Sequence, residues 1–357
     1  MSLDNVFMGK RVVQQIYLKN ALIYQSKGWE TLPSAPQVEW TKNFGSIGSF
    51  PTDCAMDQDN NIYIAVQSFV YKISADGLLL WRKAFSGAQK ICIDQDNNIY
   101  LAQLAYLNQT DTDQSLIINH LDTSGNVINK IKVNAYISDD ITGFTFDKTY
   151  LYISSRKSSV NNSIYKVDKK LINSDFFNPG FLISFNVNNL ATTETCPNIY
   201  FTNGNSLYQM KKGTSTFLIA TQIGSNNTID SSILDNLGNV ILSSSEGIFK
   251  YNIDTKQQTK IMNMGTASYN FSLRCIDYQQ NLYGISFSNT PNNKVLTDLF
   301  KISSDNTLIY NSRIINDSNA TSGRLTVDNN GNIYYVYRNF NYELLITKII
   351  NLVKKGN

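Results

Sequence analysis

A ten-residue phrase, IDQDNNIYLA at Ile93–Ala102, recurs in varied form seven times along the chain, and this repetition restricts the fold more than any other feature. CAMDQDNNIYIAV at Cys54–Val66, FDKTYLYIS at Phe146–Ser154, LDNLGNVILSS at Leu234–Ser244, IDYQQNLYGIS at Ile276–Ser286 and VDNNGNIYYVY at Val327–Tyr337 keep an apolar residue, an aspartate, a polar turn and a β-rich run. CPNIYFT at Cys196–Thr202 has lost the aspartate and keeps the run. A shorter run such as VYKIS (Val70–Ser74) follows each copy, and aligning it brings Lys72, His120, Lys166, Gln209, Lys250, Lys301 and Lys348 to one repeat position. Their spacings, 41 to 51 residues, match the length of one four-stranded propeller blade.

Asp, Asn and Gly between two β-branched or aromatic segments form tight hairpins, because they accept positive φ and bond their own backbone. Each repeat is therefore expected to run strand, tight turn, strand, loop, strand, turn, strand. The ends of the chain add a closure. WTKNF (Trp40–Phe44) matches WRKAF (Trp81–Phe85), the outermost strand of the first complete repeat, while the last repeat ends at LLITKII (Leu344–Ile350) with little chain beyond it. An N-terminal strand completing the last blade removes the open edges that would invite aggregation. The expected fold is all-β: a seven-bladed β-propeller over residues 37–357, closed by an N-terminal outer strand and preceded by a small β attachment segment over residues 1–36.

Composition narrows the function. The 357 residues are 42% apolar and 12% aromatic, enough for a large core without disulfides. A net charge of +3, dispersed along the chain, gives no footprint for nucleic acid or an anionic membrane. The first twenty residues lack a continuous apolar core, so synthesis in the cytoplasm without a signal peptide is expected. The four cysteines, Cys54, Cys92, Cys196 and Cys275, fall at or beside the innermost strand of separate blades with no Cys-x-x-Cys spacing, and read as small packing residues.

Within MSLDNVFMGKRVVQQIYLKNALIYQ, QQIYLKN and ALIYQ read as two strands around a Lys-Asn turn. Val13, Ile16, Tyr17, Leu18, Asn20, Ile23 and Tyr24 carry a phrase, V-x-x-IYL-x-N-x-x-IY, that resembles the openings of tail, baseplate and receptor-binding fibre proteins from phages and prophages of low-GC Gram-positive bacteria. The resemblance covers about a tenth of the chain. It implies a virion tail component that docks on other tail or baseplate proteins through residues 1–36 and touches the host wall with the other end. The chain departs from that pattern in lacking a collagen-like or coiled-coil stem, which favours a compact appendage over a trimeric fibre. A homo-oligomer is the default expectation for such an assembly. The repeats also resemble the NHL and SBBP propeller families, whose members bind proteins, sugars or small molecules and include enzymes; function must come from loops.

In a propeller the a–b and c–d turns share one face and the b–c and d–a loops the other. The expected irregular insertions lie on the second face, at 104–115, 155–163 and 287–298, and in the d–a segments 134–143 and 265–272. Their Tyr, Asn and Asp side chains suit a glycan, since aromatic faces stack on sugar C–H surfaces and planar amides or carboxylates bond paired hydroxyls. The candidate ligand-binding residues are Tyr106, Asn108, Asp111 and Asp113 in one loop, Tyr136, Asp139 and Asp140 in its neighbour, and Tyr269. Arg156, Lys157 and Arg338 could instead meet phosphate if the ligand were a teichoic acid.

DQDNN at 57–61 and 94–98 resembles the start of a calcium loop but lacks the required glycine and distal glutamate, and a recurring hairpin turn accounts for it. No metal or cofactor is implied. His120, the single histidine, occupies the strand position filled by Lys or Gln in the other blades, so a structural or surface role is expected rather than a catalytic base. Streptogramin-cleaving propeller lyases carry several histidines on their channel; this sequence has no counterpart. The expectation is a non-enzymatic module that recognises a host cell-wall glycan or teichoic acid. Two alternatives stay open: a tail scaffold that binds other virion proteins, and a cell-wall glycan depolymerase pairing Asp139 or Asp140 with Asp111 or Asp113.

Overall fold

Each copy of the repeat folds into a four-stranded antiparallel meander. In the computed structural model the ring is described over residues 36–350 except at 107–113, 138–139, 158–159, 172–179, 183–186, 194–195, 213, 215–216, 224–227, 236, 264–269, 278, 290–294 and 316–322. Outside the ring, residues 6–8, 11–13, 15–18, 21–25, 29–31 and 352–354 are described as strands.

The first blade runs from its innermost strand, Pro51–Met56, through Ile62–Val66 and Phe69–Ile73 to its outermost strand, Leu79–Ala84. The innermost strands of blades two to seven are Ala88–Ile93, Asp140–Phe146, Asn188–Ala191, Ile229–Leu234, Asn270–Ile276 and Arg324–Val327. Each touches the innermost strand of the next blade, and the seventh touches the first, so the ring is closed. Closure is completed by Gln37–Ser46, which pairs antiparallel with Glu343–Ile350 as the fourth strand of blade seven. Trp40 stands opposite Lys348 as Trp81 stands opposite Lys72, the equivalence that the WTKNF and WRKAF motifs anticipate. The Thr41 and Thr347 hydroxyls share a hydrogen bond of 2.9 Å across this seam. The all-β, seven-bladed expectation therefore holds.

The repeated aspartate explains the repeated turn. In blade one, Asp57 Oδ1 accepts the backbone N–H groups of Asp59 (3.0 Å) and Asn61 (2.7 Å), and Asn61 Nδ2 reaches Asp57 Oδ2 at 2.9 Å. Asp94, Asp235 and Asp328 repeat the pattern with Asn98, Asn239 and Asn332. Three residues after each aspartate the backbone turns left-handed, as at Asn60 (φ 63°) and Asn97 (φ 61°), which is why Asn or Gly recurs there. Backbone donors and an amide occupy the carboxylate oxygens, so these are hairpin turns.

The same carboxylates reach into the core. Opposite each position of the Lys72 series stands a buried residue of the second strand, a tyrosine in six blades and Ile241 in blade five. The hydroxyls of Tyr63, Tyr152, Tyr283 and Tyr334 donate to Asp57, Asp147, Asp277 and Asp328 at 2.8–3.2 Å. A lysine then covers the pair. Lys72 lies 3.6 Å from Asp57, whereas in blades two and three the cation comes from the following blade: Lys169 to Asp94 at 2.9 Å and Lys212 to Asp147 at 3.0 Å. Blade four lacks the aspartate, and Asn198 Nδ2 donates to the Tyr200 hydroxyl instead.

In their described residues, two of the expected irregular insertions, 155–163 and 287–298, are carried by lengthened strands. In blade three the second and third strands extend until Lys157 pairs with Val160, and in blade six until Asn289 pairs with Val295. The fourth strand of blade two runs to Ile137, and the next innermost strand starts at Asp140. Ser, Thr, Val and Phe flank these tips, and such residues continue a ladder more readily than they solvate a bare loop. In the N-terminal segment Gln15–Leu18 pairs with Ala21–Gln25, Val6–Met8 with Arg11–Val13, and Trp29–Thr31 with the C-terminal strand Leu352–Lys354.

Two predictions follow from these contacts. Burial alone would raise the Asp147 carboxyl, but the Tyr150 N–H, Lys212, the Thr149 N–H and the Tyr152 hydroxyl together hold it below its ordinary value; Asp94 is lowered likewise, against burial, by Lys169 and Asn98. A depressed carboxylate stabilises the fold above its unfolded pKa of about 4, and that contribution is lost as pH falls through the lower folded value. The melting temperature should fall on acidification from pH 5 to 3, less steeply in Asp147→Asn. In chemical denaturation at pH 7, Asp147→Ala should cost about 2–4 kcal/mol, because it strands a buried ammonium and a hydroxyl. Separately, removing residues 1–46 should leave the third strand of blade seven as an open edge, and light scattering should report larger, polydisperse species than the intact chain gives.

Candidate functional site

The innermost strands contain a second repeated feature, invisible in the hydrophobic pattern. Six of the seven bear a β-bulge against their neighbour, and the extra residues are Thr52, Gln89, Thr142, Asn189, Asp230 and Arg274. In blades one, two, three and five the bulge lies five residues before the repeat aspartate, at the strand end nearest the d–a loops. A bulge adds one residue to one strand only, and so re-aims a side chain out of the alternation. Here it turns polar side chains towards the axis.

Five of them, Thr52, Gln89, Thr142, Asn189 and Asp230, line a cavity of about 430 Å³ at that end of the channel, together with Phe50, Lys90, Asp140, Asn188, Thr228 and Arg324. Several also stitch neighbouring blades. Thr52 Oγ1 donates to the Ala88 carbonyl at 3.2 Å, Thr142 Oγ1 to the Val187 carbonyl at 2.6 Å, and Asn189 Nδ2 to the Asp230 carbonyl at 3.3 Å. The opposite end holds a cavity of about 410 Å³ lined by the a–b turns. There the turns bind one another: the Gln58 N–H donates to Asn97 Oδ1 and the Asn329 N–H to Asn60 Oδ1, each at 3.1 Å. Its carboxylates, Asp57 and Asp94, are consumed by the turns and lysines already described. The d–a end is the candidate site.

Charge at this end is mixed. Burial raises the Asp230 carboxyl, and nearby Arg274 only partly offsets it. Burial, then the neighbouring Arg324, lowers Arg274 to about 10. Asp53 Oδ2 accepts the Ile91 N–H at 3.1 Å. The thiols beneath are inert: burial, reinforced by Asp53, pushes Cys54 up to about 12, and Cys92 and Cys275 are also raised chiefly by burial. All four cysteines are free and pack against core clusters, as the sequence reading expects.

The residues singled out from sequence distribute unevenly. Asp140 lines the cavity. Tyr106, 58% exposed, directly follows the second strand of blade two, Ile99–Ala105. Arg338 ends the second strand of blade seven with its guanidinium 3.5 Å from the Phe50 ring centre and 4.5 Å from that of Tyr342, and Nη1 donates to the Gly48 carbonyl at 3.3 Å. It is clamped between two half-exposed rings and holds Phe50 at the cavity rim. Tyr136 and Arg156 lie on strands whose side chains at these positions are not described, and Lys157 likewise; Asn108, Asp111, Asp113, Asp139 and Tyr269 lie outside the described residues. His120 stacks on Tyr100 with ring centres 5.0 Å apart, and burial lowers its pKa. It belongs to a blade interior, as its repeat position implies.

Sequence reading missed Thr52, Gln89, Thr142, Asn189, Asp230, Lys90, Arg274 and Arg324. For six of them a signal was present: Thr52, Gln89, Thr142 and Asp230 lie five positions, and Lys90 and Arg324 four positions, before the repeat aspartate.

No family model matches the sequence, and no curated protein is detectably similar to it. Solved structures do resemble it. A streptogramin B lyase matches with TM-score 0.55 and 11% identity over 87% of this chain and 98% of its own. A catalytically inactive virginiamycin B lyase from Staphylococcus aureus, with quinupristin, matches at 0.58 and 11% over 88% and 100%. The fold is that of a propeller. The extracellular domain of a one-component system from B. thetaiotaomicron matches at 0.51 and 13% over 87% of this chain and 40% of that one. The inactive lyase carries a histidine-to-alanine change; in this chain the single histidine lies in a blade interior, away from the channel residues.

The thiol environments make a direct prediction. In iodoacetamide labelling at pH 8 read by mass spectrometry, Cys54, Cys92 and Cys275 should react at least a hundredfold more slowly in the folded protein than in denaturant.

Proposed function

We propose that this chain is a non-enzymatic binding module, carried on a phage or prophage tail by its N-terminal segment, that grips a host cell-surface carbohydrate at the d–a end of its channel. The observation that carries the reading is the composition of that cavity. One exposed aromatic, Phe50, stands at the rim above planar amides and hydroxyls (Gln89, Asn188, Asn189, Thr142 and Thr228) on a closed ring. An aromatic face for sugar C–H surfaces beside paired hydrogen-bonding groups is the chemistry that recognises saccharides. The ring fixes these groups before the ligand arrives, which lowers the entropy cost of binding. Attachment through residues 1–36 is supported by the tail-protein phrase of Val13–Tyr24 and by the paired strands within it.

Labelled protein should bind isolated Gram-positive walls saturably. Phe50→Ala and Asn189→Ala should each weaken binding about tenfold, while Leu218→Ala, on an outer strand, should not. No binding to any wall, or equal binding by all three variants, would reject the assignment.

A second reading has one observation in its favour. Asp140 and Asp230 line the same cavity, and burial raises the Asp230 carboxyl, the direction that suits the acid of a carboxyl pair in glycan cleavage. New reducing ends released from wall polysaccharide by the intact protein but not by Asp230→Asn would establish it.

A further inference from the structure

Three cations gather at the d–a end of the channel with uneven partners. Arg324 donates through Nε to the Thr52 carbonyl (2.8 Å) and through Nη1 to the Gly323 carbonyl (3.4 Å). Arg274 stands at a bulge of its own, two residues later in its strand than the others, with Nε enclosed by protein and without a hydrogen-bond partner. Lys90, on the cavity wall, makes no hydrogen bond or ion pair with the described residues. Against them, one Asp53 oxygen is engaged by the Ile91 N–H. An enclosed cationic N–H without an acceptor is costly, and cations brought together add repulsion. Folds retain such arrangements where a ligand supplies what is missing.

We propose that Lys90, Arg274 and Arg324 form an oxyanion subsite that receives a phosphate or carboxylate group of the bound ligand. The subsite deepens the carbohydrate reading and rests on it: the ligand becomes an acidic glycan or a sugar phosphate, its neutral part on Phe50 and the amides. Guanidinium groups present forked donors that match both oxyanions. Burial lowers Lys90; of the surrounding charges Asp53 acts most strongly and raises it, followed by Arg324 lowering, Asp140 raising and Arg274 lowering. Arg274 is lowered by burial and then by Arg324, against Tyr335, Cys54 and Asp53. These three cations are not the basic residues that the sequence offered for phosphate: Arg338 is stacked between rings, and the side chains of Arg156 and Lys157 are not described.

Calorimetric titration at constant ionic strength, with chloride as background, tests the subsite using inorganic phosphate, glucose 6-phosphate, glucuronate and glucose as probes. Phosphate should bind saturably, and glucose 6-phosphate or glucuronate at least tenfold more tightly than glucose, the better of the two naming the oxyanion. Arg274→Met and Lys90→Met should each lose at least tenfold in affinity for the charged probes without a lower melting temperature, since each removes a crowded cation. Lys256→Met, in an exposed turn of blade five, should bind as the parent does. Heats indistinguishable from added chloride, or equal weakening in Lys256→Met, would overturn the subsite, as would a melting temperature in Arg274→Met that falls with no change in affinity. Wall binding without any phosphate or carboxylate response overturns the subsite alone. Phosphate binding without wall binding overturns the wall assignment alone.

Discussion

The aspartate at the foot of the innermost strand is the group on which six of the seven blades depend. Its carboxylate ends the strand by taking up turn N–H groups, reaches a tyrosine hydroxyl in the core, and meets a lysine from its own blade or the next. A buried carboxylate is costly unless its acceptor sites are filled. Here one group is filled from three directions, so turn geometry, core packing and the fit between blades are set together. Where the sequence departs, a neighbour compensates: His120 stands in place of lysine in blade two, and Lys169 arrives from blade three.

This division of labour leaves the other end of the channel to function. The a–b turns are fixed by their aspartates and bind each other across blades. At the far end of the same strands the bulges release one residue per blade from the alternation, and those residues differ from blade to blade: Thr, Gln, Thr, Asn, Asp and Arg. Uniform turns with varied bulges are what a scaffold carrying a specific site requires. Several bulge residues also stitch blades together, so the cavity wall and the ring share hydrogen bonds, and its polar groups stay in place without ligand.

How much of this was legible in the sequence follows from which forces leave a pattern. Period-two burial and turn chemistry recur in every blade, so the blade number, the closing strand at Trp40–Phe44 and the packing role of the cysteines could be read from residue order. The aspartate announced the turn but not its bond to the tyrosine, because strand register decides which side chains meet. The other cavity residues escaped the sequence reading for a similar reason. Attention went to segments that look irregular, at 155–163 and 287–298, yet Ser, Val and Phe there continue ladders. The cavity residues sit inside strands, where a bulge is a register event between two segments and has no motif of its own. Lys90 and Arg324 look like ordinary polar positions until the ring brings blades two and seven to one axis.

Hydrogen–deuterium exchange on the intact protein, with and without solubilised Gram-positive wall polysaccharide, addresses the central claim most directly. The account requires added protection at the starts of the innermost strands, residues 50–53, 88–90, 140–142 and 188–190, with the a–b turns at 57–61 and 94–98 unchanged. Protection at those turns or along the outer strands alone, or none at saturating polysaccharide, would contradict it.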